Sequence, residues 1–394
     1  MNYILFDSFR RKALLPFAFT RPVADIRVGI LTIREKWETY LGTKTSTLTE
    51  DYLSPRFPLK KEKDNVLING SVLPTPELVH QIMNLREGET LSKDDYVVAM
   101  RLDREDVEMT GEHSLEEDIQ TELSFLEINN TWDIFRLNAQ AINDDFAFLT
   151  KGRISQPISS TNFIIGDPDL IFLEKGAKVE YAFLNTTEGP IYIGKDAEVM
   201  EGAKIRGPFA LGDHSVVKMD AKIYTGTTVG PWCKVGGEIN NSVFFGYSNK
   251  AHDGFMGQSV IGEWCNLGAD TNTSNLKNTY DAVKLWSYAE KSFVNTGLQF
   301  CGLIMGDHSK CGINTMFNTG TVVGVSCNIF GGGYQKNFIP SFSWGDSATG
   351  FRPFILRKAF AAANAMMKRR GKKLDDIDKA IFTHIFDETY DNRF

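Results

Sequence analysis

The chain has 394 residues, 42% hydrophobic and 24% charged, with a formal net charge of −7. It is long enough for two or three globular domains. No apolar run reaches the roughly 18 residues a membrane span needs, and the negative charge gives a nucleic-acid partner no support.

Residues 1–110 alternate strand-like and helix-like stretches. Tyr3-Ile-Leu-Phe6 reads as a first strand, Thr32 to Leu41 as a helix, and Asn65-Val-Leu-Ile68 as a buried strand closed by Asn69-Gly70. Pro76 to Leu85 reads as a helix capped by Thr75, with proline at its first position. Tyr96 to Met100 reads as a third strand. The alternation predicts an α/β layer with parallel strands. The acidic stretch Glu105 to Glu122 reads as a loop or weak helix, and Thr131 as the cap of a linking helix that runs to Phe148.

A repeat follows. From Ile193 every sixth residue is aliphatic: Ile193, Val199, Ile205, Leu211, Val217, Ile223, Val229, Val235. Against the hydrophobic background, eight such hits in a row have a chance of roughly one in a thousand. Four residues after each come Ala197, Ala203, Phe209, Ser215, Ala221, Thr227, Cys233 and Ile239, mostly small, and Gly194, Gly212 and Gly230 recur at one-coil spacing. Each hexapeptide supplies a short strand and a crowded corner, so the expectation is a left-handed parallel β-helix with one continuous core. The series jumps from Val235 to Val243, then runs Asn249, Phe255, Ile261, Leu267, with Asn249 at an aliphatic position. It fails after Leu267 and returns at Met305, Cys311, Phe317, Val323 and Ile329, which predicts a loop leaving the coil. An earlier, rougher stretch (Ile165-Gly166, Phe172, Val179, Ile191) starts the helix.

Leu356, Phe360, Ala363 and Met367 keep helical spacing, and Lys368, Arg369, Arg370, Lys372 and Lys373 follow. These cations suit a helix end or the polyphosphate of coenzyme A. The expected layout is an α/β domain over 1–130, a helical linker over 131–155, the β-helix over 156–345 and a C-terminal helical tail over 346–394. Cys233, Cys265, Cys301, Cys311 and Cys327 form no Cys-x-x-Cys pair, so no zinc cluster is expected. Their odd number, with no signal-peptide layout in Met1 to Ala13, favours free thiols and a cytoplasmic protein.

The tract Asn249-Lys-Ala-His252-Asp-Gly-Phe-Met-Gly257, followed by Ile261-Gly-Glu-Trp-Cys-Asn266-Leu-Gly-Ala-Asp-Thr-Asn-Thr-Ser-Asn275-Leu-Lys277, resembles one known acetyltransferase site. That site belongs to the bifunctional UDP-N-acetylglucosamine pyrophosphorylase/glucosamine-1-phosphate N-acetyltransferase family. With one residue deleted before the histidine, the spacings match. The resemblance implies an acetyl-CoA-dependent N-acetyltransferase acting on an amino sugar 1-phosphate, glucosamine 1-phosphate, assembled as a homotrimer with sites between subunits. It makes His252 the general base, an imidazole able to take the amine proton. It places Lys250 beside the sugar phosphate, Asn266 and Asn275 on the sugar, and Lys277 as a further cation. Phe255 stands where the family has a tyrosine. Asp253 is a possible orienting group for His252. His214 and His308 are rival histidines in repeat corners, and Asn266 and Asn275 also suit a purely structural ladder.

The segment Arg10-Arg11-Lys-Ala-Leu-Leu-Pro-Phe-Ala-Phe-Thr-Arg21-Pro resembles the tail of the nucleotidyltransferase signature without its glycines. The resemblance implies uridylyl transfer from UTP with Mg²⁺, using Arg10, Arg11, Arg21, Gly70 and Ser71. Ser71 replaces the usual metal-binding aspartate, and a hydroxyl is a poor sole substitute, which leaves Asp95 or Asp103 as stand-ins. Two alternatives stay open. The N-terminal domain is an inactive sugar- or nucleotide-binding module beside the acetyltransferase, or the whole chain is a non-catalytic sugar-nucleotide-binding protein. A metal-dependent hydratase would need three converging imidazoles, and the six histidines show no such spacing.

Overall fold

A computed structural model describes residues 1–108 and 117–393. The chain forms two compact units. The first comprises Met1–Leu14, Thr20–Ile26 and Leu31–Asn130; the second comprises Leu15–Phe19, Arg27–Ile30 and Thr131–Phe394.

In the first unit, β1 (Asn2–Phe6), β2 (Ser46–Leu48) and β3 (Asp64–Asn69) are parallel. The strand expected at Tyr96 is longer, Tyr96–Asp103, and runs antiparallel to β3. It forms a hairpin with β4 (Glu89–Lys93), and β5 denotes that longer strand. The sheet is therefore mixed rather than wholly parallel. Asp94, at φ 53°, makes the tight turn that reverses the chain; such a hairpin needs no crossover helix. Thr32 caps α1 (Ile33–Leu41) in a reciprocal capping box with Glu35, and Thr75 caps α2 (Pro76–Met83). Within the acidic stretch 105–122, residues 109–116 lie outside the described residues. Its flanks join a short helix, Arg104–Glu108, and a strand, Glu117–Gln120, that pairs with β4.

In the second unit the expected linking helix is two helices, Asp133–Arg136 and Asn138–Thr150, and Thr131 does not cap either. Then comes the β-helix. Three stacks of short parallel strands make its faces. The first face runs from Phe163–Ile165 to Phe255–Gly257 and is continued by the pair Asn272–Thr273 and Met316–Phe317. The second runs from Ile171–Leu173 to Phe338–Ile339. The third runs from Lys178–Val179 to Ser343–Asp346, with Gly350–Pro353 folding back antiparallel. All eight aliphatic residues of the series from Ile193 to Val235 are buried in one cluster; the eight residues four positions later are buried too, all but Ser215 and Thr227 in the same cluster.

Beyond Val235 the register differs from the sequence expectation by one residue. Val229 pairs with Phe244, Val235 with Lys250 and Ile239 with Met256. The inward residues are therefore Phe244, Lys250 and Met256, not Val243, Asn249 and Phe255, and the expected positions are regained at Ile261 and Leu267. The cause is shortened corners. The inward Val235 and Ile239 are joined through Gly236-Gly237, and the next short corners, from Ile239 to Phe244 and from Met256 to Ile261, are each turned by a left-handed residue, Asn241 at φ 41° and Gln258 at φ 41°. Between Thr273 and Leu303 the chain leaves the coil, as the broken period predicted, and forms a hairpin of Lys284–Ser287 with Ser292–Asn295. The C-terminal tail holds two helices, Leu356–Lys368 and Asp376–Glu388, with the basic cluster around the turn between them.

Leu211 is fully buried in this core. Leu211→Ala should cost about 2–5 kcal/mol of unfolding free energy, since a rigid stack collapses poorly around a cavity. Met219→Ala, at a largely exposed corner position, should shift it by no more than about 0.5 kcal/mol. Denaturant midpoints of the two variants check this.

Candidate functional site

His252 lies where the third face turns into the first, between the strands Asn249–Lys250 and Phe255–Gly257. Its side chain is exposed. The backbone beneath it is tightly held. The amide of Glu238 donates to Gly254 O at 3.2 Å, and the amide of Asp270 to Asp253 O at 3.1 Å. Gly237 (φ 76°) lies so close that a Cβ there would sit 3.0 Å from His252 O and 2.7 Å from Gly254 O. Gly254, at φ 115°, has backbone conformation and space for no side chain. An exposed imidazole on a corner fixed from both sides is a geometry suited to accepting a proton from an incoming amine. Among the described residues no hydrogen bond joins the Asp253 carboxylate to the His252 ring, so the corner orients His252 through its backbone.

The two rival histidines occupy a different corner. His214 (φ 58°), Trp232, Tyr247, Trp264 and His308 (φ 60°) are left-handed residues stacked where the second face turns into the third. The His214 ring lies 4.3 Å from that of Trp232. The His308 ring lies 6.0 Å from Trp264 and 5.0 Å from Phe382, and is buried. Both are members of an aromatic column.

The sequence-chosen binding residues are dispersed. Lys250 is only 1% exposed. Its Nζ donates to His252 O at 2.8 Å, Gly236 O at 3.2 Å and Asp253 O at 3.3 Å, inside the coil rather than toward solvent. Asn266 points outward on the third face and accepts from Asn249 Nδ2 at 3.4 Å, one rung of an amide ladder. Asn275 donates to Gln258 Oε1 at 2.5 Å. It packs so closely over Gly257 that a Cβ there would sit 2.5 Å from its Nδ2. Phe255 is half-buried, its amide donating to Asn272 Oδ1 at 2.8 Å.

Lys277 opens a second feature. It donates to Ala282 O at 3.0 Å and lines a cavity of about 830 Å³ formed by the loop and the upper coils. Lys284, Asn318, Asn337, Phe293 and Tyr334 share the lining, and the last two present largely exposed rings. The size suits a small-molecule ligand, and two ammonium groups beside amides suit an anionic, hydroxyl-rich one. Sequence reading missed these partners. Asn318 and Asn337 stand about one coil apart, the signal that would have joined them.

In the first unit the expected nucleotide-binding residues are turned inward. Arg10 is paired with Glu127 and Asn129 and lies 4.0 Å over the Tyr96 ring. Arg11 is buried beside Asp7 and donates to Tyr52 Oη at 2.7 Å. Arg21 is buried. Gly70 donates to Phe6 O at 2.9 Å and packs against Ala24. Ser71 is buried and donates its hydroxyl to Asn69 Oδ1 at 2.9 Å. Asp103 pairs with Asp64 at the start of β3, whereas Ser71 follows its end, so Asp103 is no stand-in at Ser71. Asp95 is exposed in the β4–β5 turn. Among the described residues no cluster of three His, Cys, Asp or Glu could hold a metal ion. These residues do not fit a Mg²⁺ site. A small polar cavity of about 320 Å³ lies beside the ends of β1 and β2, lined by Asp7, Ser8, Arg11, Thr49, Glu50 and Asp51.

Burial pushes the Lys250 ammonium down from 10.5 to about 8, against a smaller upward pull from Asp253, Cys311 and Asp270. The folded chain thus releases this proton at lower pH than the unfolded chain, and its stability rises between about pH 8 and 10.5. The unfolding free energy of the wild type minus that of Lys250→Met should climb across that window and stay flat below pH 7. Denaturant titrations of both proteins at each pH check this.

Residues 3–154 match the family model described as sugar nucleotidyl transferase. No curated protein sequence matches the chain. Among solved structures, the polySia specific acetyltransferase NeuO aligns at 11% identity over 54% of this chain and 100% of its own, with a TM-score of 0.30. An Arabidopsis UDP-N-acetylglucosamine acyltransferase aligns at 15% identity over 60% of this chain and 92% of its own, TM-score 0.23. The acetyltransferase domain of PglB from Neisseria gonorrhoeae, in complex with acetyl coenzyme A, aligns at 14% over 90% and 100%, TM-score 0.17. Likenesses this distant leave the function to be argued from the chain's own residues.

Proposed function

We propose that the chain is a transferase that moves the acetyl group of acetyl-CoA to the amine of an amino sugar 1-phosphate, glucosamine 1-phosphate. The observation that carries this is the exposed His252 on a rigid corner, within the tract whose spacing resembles that acetyltransferase site. The amine nitrogen attacks the thioester carbonyl while His252 takes an amine proton. The tetrahedral intermediate then collapses, the carbon–sulfur bond breaks, and coenzyme A leaves as its thiol with the proton returned from the imidazole. Lys277 and Lys284 neutralise the sugar phosphate in the cavity they line, and its asparagines hold the hydroxyls. His252 and this cavity lie on different coils. The proposed working form is a homotrimer in which one protomer's His252 faces the cavity of the next. Asn266 and Lys250 shape the coil rather than touch the sugar.

For the first unit, the family match over residues 3–154 supports recognition of a sugar nucleotide or UTP. The inward arginines and the bonded Ser71 favour binding over metal-dependent uridylyl transfer. The proposed role is a nucleotide-binding domain, and the cytoplasm is the compartment where both substrates are at hand.

Two assays test this reading. With acetyl-CoA and glucosamine 1-phosphate the wild type should release free thiol, and His252→Ala should release it about 100-fold or more slowly, the usual weight of a general base. Equal rates would remove His252 from the chemistry, and no release from folded wild type would sink the acetyltransferase reading. With UTP, Mg²⁺ and N-acetylglucosamine 1-phosphate no pyrophosphate should form. Its appearance would make the first unit an enzyme.

A further inference from the structure

A lysine occupies an aliphatic position in the wall of the coil. The inward residues of the third face are Val179, Val199, Val217, Val235, Lys250, Leu267, Cys311 and Ile329. Seven are apolar. Placing a charge there costs solvation that a Met or Leu would not. The four-carbon stem fills the column as an aliphatic chain would. The ammonium has three N–H donors, and three backbone carbonyls surround it: Gly236 O at 3.2 Å, His252 O at 2.8 Å and Asp253 O at 3.3 Å.

Those carbonyls belong to two successive corners. Gly236 lies on the corner below, and His252 and Asp253 on the corner above. Gly236 and Gly237 let the two backbones meet: a Cβ on Gly236 would sit 2.6 Å from Ala251 O. The backbone ladder already holds Asp253 O and Gly254 O, through Asp270 and Glu238. The ammonium thus ties the carbonyl of His252 itself to the corner beneath it, from the inside, where no substrate reaches.

We propose that Lys250 is a positioning residue: its buried ammonium clamps the corner that carries His252 and sets the direction of the imidazole. The catalytic part of this inference rests on the reading of His252 as the base. The clamp itself rests on the carbonyl geometry alone. The groups facing the ammonium besides the carbonyls are Asp253 and Asp270 from the corners and Cys311 from the column.

The test uses the full-length chain with Lys250→Met and Lys250→Leu, which keep an apolar stem and remove the donors. Leu267→Met, one coil along, is the packing control. Hydrogen–deuterium exchange of segment 251–254 is followed by mass spectrometry, with the strand Val216–Val217 as an internal standard. Both Lys250 variants should melt as cooperatively as wild type and exchange at least ten-fold faster in 251–254, while the control does not. In the thiol-release assay, Lys250→Met should lower kcat by ten-fold or more with KM changed less than three-fold. Wild-type exchange at 251–254 in both variants would overturn the clamp. So would two variants that fail to fold, since Lys250 would then be a folding residue. A wild type without transfer activity would defeat the proposed function while the exchange result still decides the clamp.

Discussion

Each strand of a parallel β-helix pairs with the strand one coil away, so every inward side chain must land on another inward side chain. That constraint makes the core one continuous column per face and leaves the corners to absorb any irregularity. The aliphatic positions from Ile193 to Val235 obey it without exception, and the corner positions that follow them are small where the turn is crowded. The irregular coils are those around His252. There the corners at Asn241 and Gln258 are short, Gly236 and Gly237 bring two backbones into contact, and a lysine replaces an aliphatic residue. Departures from a strict repeat cost stability, and they gather around the one exposed histidine of the tract.

The same constraint explains what could be read from the residues. Periodicity alone delivered the β-helix, its core and the excursion after Leu267. It misread the register by one residue at Val243, Asn249 and Phe255 because each neighbours another plausible inward residue. Val243 and Phe244 are both apolar, as are Phe255 and Met256. Between Asn249 and Lys250, neither of which looks like core, no rule of hydrophobicity could choose. Only the shortened corners at Gly236-Gly237 and Asn241 decide, and neither residue type carries a length signal of its own.

The first unit shows a related lesson. The capping residue Thr75 was legible because its chemistry is local, whereas Thr32, read as part of its helix, caps it instead. The direction of the strand Tyr96–Asp103 was not, because β4 had gone unrecognised and with it the hairpin that reverses the chain. Arg10, Arg11 and Arg21 looked like phosphate ligands, as cations near a strand end do. Two of them are held by Glu127, Asn129 and Tyr52, pairings over long sequence separations that no motif reveals, and Arg11 also by Asp7 four residues away. The cavity beside Lys277 was half visible: the lysine stood out, while its asparagine and aromatic partners come from coils and a hairpin far along the chain.

The central claim is that the coil around His252 exists to transfer an acetyl group to an amine. The most direct measurement is NMR of the reaction product formed from carbonyl-¹³C acetyl-CoA and ¹⁵N-glucosamine 1-phosphate. The account predicts a new carbonyl signal split by one-bond coupling to nitrogen, the signature of an amide. Label that stays in the thioester, or appears only as free acetate or on a sugar oxygen, would contradict it.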